Sequence, residues 1–87
     1  MSIEGIVNQK QNYEELLLHS TTESARLIYA VIQSNQNIQA KEIIQKVHYS
    51  ARTVRYSLKV LLNLGLIKQI PNLQDCRSHF YQTTLIN

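Results

Sequence analysis

The sequence predicts a mainly α-helical domain completed by a small β-hairpin, an α+β fold, and three observations carry the prediction. Apolar residues recur at three- and four-residue spacing through Leu27, Ile28, Val31 and Ile32, and again through Val54, Leu58, Leu61 and Leu62. That is the period of helices with one buried face. At Gly65 the helical period stops and an extended pattern begins. The turn-rich run Pro71-Asn72-Leu73-Gln74-Asp75 then separates two short extended stretches, the pattern of a hairpin. A chain of 87 residues forms one small domain that buries only about 60% of its unfolded surface, too little core for a large substrate cavity.

Residues 1–19 read as a helical arm and a possible dimerisation element. Ile3, Ile6 and Val7 give it an apolar edge, Gly5 interrupts it, and Leu16-Leu17-Leu18 follow. The second unit, 20–87, opens on Ser20-Thr21-Thr22-Glu23, which reads as a capping box with Ser20 as the cap. The helix it starts fades at Ser34-Asn35-Gln36-Asn37, and Ile38 is placed for a one-residue bridge into a sheet. A short helix from Ala40 to Val47 turns Ile43, Ile44 and Val47 inward. His48-Tyr49 makes a tight turn, Ser50 caps a longer helix, and Gly65 suits the left-handed position that ends it. Leu66 to Ile70 and Ser78 to Thr83 are the hairpin strands. A short helix, a tight turn and a longer helix make a helix-turn-helix; with a hairpin behind it, the unit becomes a winged helix.

Charge separates the two halves. Residues 1–40 hold Lys10 and Arg26 against Glu4, Glu14, Glu15 and Glu23. Residues 41–87 hold Lys41, Lys46, Arg52, Arg55, Lys59, Lys68 and Arg77 against only Glu42 and Asp75. The second half is therefore suited to a polyanionic partner. On the longer helix, 100° per residue puts Val54, Leu58, Leu61 and Leu62 on the core side. Arg52, Tyr56, Lys59 and Asn63 then fall opposite, with Arg55 on one flank. No acid lies between Ser50 and Gly65, so these cations lack the i,i+4 partners of an ordinary solvated face. Such a face fits a DNA major groove, where arginine donates two hydrogen bonds to guanine and tyrosine or threonine meets phosphate or a thymine methyl.

The stretch RTVRYSLKVLLNLGLI resembles the recognition helix and first wing strand of winged helix-turn-helix transcription regulators, close to archaeal members and more loosely to the MarR and ArsR types. PNLQDCRSHFYQTT resembles the MarR-like wing, and the likeness runs from about Ser20 to Thr84. The resemblance implies a capping role for Ser50 and groove-facing roles for Arg52, Thr53, Arg55 and Tyr56. It places Gln39 and Lys41 where the preceding helix nears the phosphate backbone. It makes Arg77 the wing arginine at the minor groove and Asp75 the acid that steadies it; a narrow minor groove attracts arginine electrostatically. Three positions depart from the pattern. His48 stands where the family has a glycine, often with positive φ; Ile44 replaces a small alanine; Thr83 replaces an anchoring leucine.

The expected function is sequence-specific binding of double-stranded DNA by a transcriptional regulator. The helix at about 50–64 would enter the major groove and the wing at about 71–78 would meet the minor groove, while Lys41, Lys59 and Lys68 attract phosphate. Two other uses of the fold are a protein–protein module that holds an acidic partner and a chromatin-type coat on DNA without sequence preference. Val60 and Leu64 flank the core stripe, so an arm supplied by the same or a second subunit is expected to cover them, which favours a homodimer. No triad, paired carboxylates or glycine-rich phosphate loop rises above chance, so no enzyme is expected. Cys76 and His79 have only half the spacing of a metal site, with His48 a distant third, and no metal or other cofactor is expected. Cys76 beside Arg77 is a weaker candidate for a redox sensor. Tyr13, Tyr29, Tyr49 and Tyr81 read as core edges. No effector is evident, no apolar run nears the ~18 residues of a membrane span, and no secretion signal is read. The expected setting is the cytoplasm, at the nucleoid.

Overall fold

The computed structural model describes residues 16–75 and 77–84. Expectations about residues 1–15, with Ile3, Ile6, Val7 and Tyr13, and about Cys76, lie outside the described residues. The elements run α1 (Glu23–Ser34), β1 (Ile38–Gln39), α2 (Ala40–Lys46), α3 (Ala51–Asn63), β2 (Ile67–Pro71) and β3 (His79–Thr83). Residues 16–19 form a helical turn before α1, and Leu17 and Leu18 pack against the core.

The start of α1 differs from the sequence expectation by two residues. Thr22, not Ser20, is the N-cap, and its hydroxyl accepts from the Ala25 N–H. Ser20 and Thr21 are engaged in closing the turn before it: their hydroxyls donate to the carbonyls of Leu17 (2.6 Å) and Leu18 (2.5 Å). Three successive hydroxyl residues thus divide between ending one helical turn and starting the next helix. Leu27, placed by periodicity in the buried stripe, is 45% exposed; the buried face is Ala25, Ile28, Tyr29 and Ile32. The expected bridge at Ile38 is a two-residue strand, and α2 ends one residue early because Val47 is extended (φ −119°, ψ 162°).

The sheet is antiparallel with order β1-β3-β2. Tyr81 of β3 lies between Ile38 and Gln69, so the last strand stitches the helical half to the hairpin. One core fills the space between the three helices and the sheet, built on Ile28, Ile32, Ile43, Val54, Leu61 and Leu66. Two buried hydroxyl residues interrupt the apolar set. Ser57, 1% exposed, meets Ser24 of α1 across 3.3 Å, and these small side chains let α1 and α3 approach closely. Thr83, also 1% exposed, exchanges two hydrogen bonds with Gln36. Its N–H donates to Oε1 (3.1 Å) and its Oγ1 accepts from Nε2 (2.8 Å). A threonine thus replaces an anchoring leucine without leaving its polar groups buried and unpaired.

His48 does not take the positive φ implied by the family glycine. The left-handed non-glycine among the described residues is Asn37 (φ 66°), where the chain enters β1 and the Asn37 N–H donates to the Tyr81 carbonyl (3.1 Å). Asparagine adopts that region more readily than most residues. The turn between α2 and α3 instead leaves through extended backbone at Val47 and Ser50, which needs no left-handed residue.

Candidate nucleic-acid interface

Helix α3 is fixed at both ends. The Ser50 hydroxyl accepts from the Thr53 N–H (3.2 Å) and donates to Thr53 Oγ1 (3.0 Å). At the other end Gly65 takes φ 73°. The Gly65 N–H donates to the Leu62 carbonyl and the Leu66 N–H to the Leu61 carbonyl, both at 3.0 Å, a Schellman stop. Between these ends Val54, Ser57, Leu58 and Leu61 are buried, with Leu62 half-buried beside them. The orientation of α3 about its own axis is thereby set, and Arg52, Arg55, Tyr56, Lys59 and Asn63 are all exposed. Tyr56 is the most conspicuous of these, 64% exposed.

The outward groups divide into two sets. Arg55 and Lys59, four residues apart along α3, line an open groove of about 430 Å³ together with Gln39 and Lys41 from the start of α2 and with Arg77, Ser78 and His79 from the wing. Leu58, Leu62 and Tyr81 also line this groove. Arg52 and Tyr56 are exposed but do not line it. Four lysines and arginines therefore converge on one concavity whose lining contains no acid.

The wing tip is held by its own backbone and short side chains. Asn72 Oδ1 accepts from the Gln74 N–H (3.0 Å), and the Asn72 N–H donates to the Ser78 carbonyl (3.2 Å). Asp75 Oδ1 accepts from the Arg77 N–H (3.1 Å), and Oδ2 from the Ser78 hydroxyl (3.0 Å). Asp75 thus steadies the main chain at Arg77, while the guanidinium is left to face the groove. Leu73, 96% exposed, leads the tip.

The remaining residues singled out in the sequence stand apart. Ser50 and Thr53 have their hydroxyls committed to each other and to the helix start. Lys68 is exposed on β2 opposite Gln82, near the base of the hairpin and outside the groove. Sequence reasoning missed the groove-lining Ser78 and His79. The alternation of a strand carries the signal for one of them, because Arg77, His79 and Tyr81 share a face at period two. Among the described residues no group of three or more His, Cys, Asp or Glu could hold a metal. Among them too, no helix is long and apolar enough to cross a membrane.

Comparison with known proteins places this geometry. Several solved structures share the fold. MarR superposes with a TM-score of 0.70 at 14% identity, over 97% of this chain and 66% of that one. FabT of Streptococcus pneumoniae in complex with DNA gives 0.68 at 21% identity, over 94% and 61%. The MarR family transcription regulator SP03579 gives 0.72 at 17% identity, over 93% and 59%. The chain spans less than two thirds of the length of each. No curated protein sequence matches. The winged helix-turn-helix DNA-binding family profile matches residues 22–68, α1 through the first residues of the hairpin and more than half of the chain. The chain belongs to the winged helix-turn-helix DNA-binding family.

Proposed function

We propose that the protein is a sequence-specific regulator of transcription that binds double-stranded DNA with α3 in the major groove and the hairpin at the adjacent minor groove. The observation that carries this reading is the fixed roll of α3, which buries one face and leaves Arg52, Arg55, Tyr56 and Lys59 exposed, with Arg55 and Lys59 sharing one groove with Arg77. An α-helix of about 10–12 Å diameter matches a major groove about 12 Å wide. Arg52 and Tyr56 face the base edges; Lys41, Lys59 and Lys68 supply attraction to phosphate; Arg77 approaches the minor groove from the wing. Two solved neighbours support the reading by analogy of fold: FabT in complex with DNA, and a mutant MarR from E. coli complexed with operator DNA, which superposes at 0.68 with 16% identity.

Homodimerisation through the segment before α1 accompanies this reading. A two-fold dimer would set two α3 helices one DNA turn, about 34 Å, apart. Sedimentation giving a single 10.1 kDa species at micromolar concentration would remove the dimer and leave the DNA reading intact.

Selection of bound sites from a random duplex pool tests the function directly. An enriched motif with two-fold symmetry is the expected result. On that motif Arg52→Ala should lose about 1–3 kcal/mol more than on scrambled DNA. A pool that returns no motif while duplexes still bind would transfer the protein to the chromatin-coating class. Absence of binding at any salt would favour the protein–protein module.

A further inference from the structure

We infer that the groove between α3 and the wing is a clamp for one strand of the sugar–phosphate backbone, and that Arg55 and Lys59 grip phosphate there rather than read bases. The inference rests on the proposed binding to duplex DNA and divides its labour. A helix that fills a major groove has the two backbone strands along its flanks, since groove width and helix diameter nearly match. If the wing of the same rigid unit reaches the neighbouring minor groove, the strand that separates the two grooves must pass between α3 and the wing. That space is the concavity of about 430 Å³ lined by Lys41, Arg55, Lys59 and Arg77. Its walls come from three elements, so the cations approach the strand from both sides.

The chemistry of the lining agrees. Four cations with no acid among the lining residues repel one another until a polyanion enters. Among the described residues no hydrogen bond occupies the side chains of Lys41, Arg55, Lys59 or Arg77, which leaves their donors available to phosphate oxygens. Arg52 and Tyr56, on the same helix but outside the groove, are the side chains left for the base edges. Arg55, three residues from Arg52 in sequence, therefore differs from it in what it meets, because it lines the groove shared with the wing and Arg52 does not. Gln39 adds a neutral donor to the same strand from the start of α2.

The test measures binding of the full chain to a selected duplex and to a scrambled one by fluorescence anisotropy from about 50 to 200 mM salt. Arg55→Ala and Lys59→Ala should weaken both duplexes by the same factor. Each should also flatten the log–log salt dependence by about 0.9, the share of one phosphate. Arg55→Lys should keep the slope. Arg52→Ala should instead lose about 5- to 150-fold in discrimination between the duplexes, the equivalent of 1–3 kcal/mol. Neutral methylphosphonate linkages placed one at a time in the selected duplex give a second readout. Wild type should weaken when the linkage lies on the strand between the two occupied grooves, and Arg55→Ala should lose nothing further there. Loss of discrimination by Arg55→Ala at unchanged slope, or undiminished sensitivity of that variant to every linkage, would overturn the clamp while leaving DNA binding in place. Wild type that binds neither duplex would overturn the DNA reading itself and the clamp with it.

Discussion

Helix α3 and the wing tip present basic groups to the same groove, yet they are held in different ways. The helix is secured by long-range packing: Val54, Leu58 and Leu61 sit in the common core, Ser57 touches α1, and hydrogen-bonded caps close both ends. The tip, 72–78, has no fully buried residue among those described and is shaped by hydrogen bonds among Asn72, Asp75, Arg77 and Ser78. The difference assigns a different tolerance to each. A helix fixed by the core delivers side chains at a set angle, as base readout requires. A tip organised only by near neighbours can follow the width of a groove without disturbing the core.

Substitutions can break or sharpen this contrast, and the largest effect belongs to the buried side of α3. Leu61→Ala should cost about 2–5 kcal/mol of stability in urea denaturation, through lost burial and a residual cavity, and should impair binding as the platform loosens. Next comes Gly65→Ala. An added Cβ would meet nothing within 4 Å, so the penalty is that of the left-handed backbone alone, about 1–2 kcal/mol. A neutral result would show that the Schellman stop does not hold the end of α3. Ser50→Ala removes the hydroxyl cap and should cost about 1 kcal/mol. Smallest in stability is Asp75→Ala, expected to lie within about 0.5 kcal/mol because the residue is exposed. Its effect should appear as weakened DNA binding, since the turn that aims Arg77 loses two acceptor contacts. Unfolding of that variant comparable to Leu61→Ala would contradict the separation of tip and core.

The order of elements was legible because helix starts, stops and periods are local. Ser50 and Gly65 bracket α3 as their chemistry demands, and the core side of that helix followed from 100° per residue. Legibility ended where local rules offered more than one solution. Three hydroxyl residues before α1 could each have been the cap, and only the closing of the preceding turn decides for Thr22. Leu27 sits at the edge of its helical stripe, and its exposure depends on what neighbours α1. For the interface, the sequence separated a basic face from an apolar one. It put Arg55 on a flank but could not show that this flank, unlike Arg52, shares a groove with Arg77, Ser78 and His79, which lie more than twenty residues further along the chain.

Strand β3 carries one more consequence. It is the middle strand, with its first residue beside the wing turn, its centre paired to Ile38, and its last residue gripped by Gln36. A strand held at these three points joins the hairpin, β1 and the loop after α1 in one sheet. Loosening its centre at Tyr81 would therefore release the hairpin and Ile38-Gln39, the entrance to α2, together.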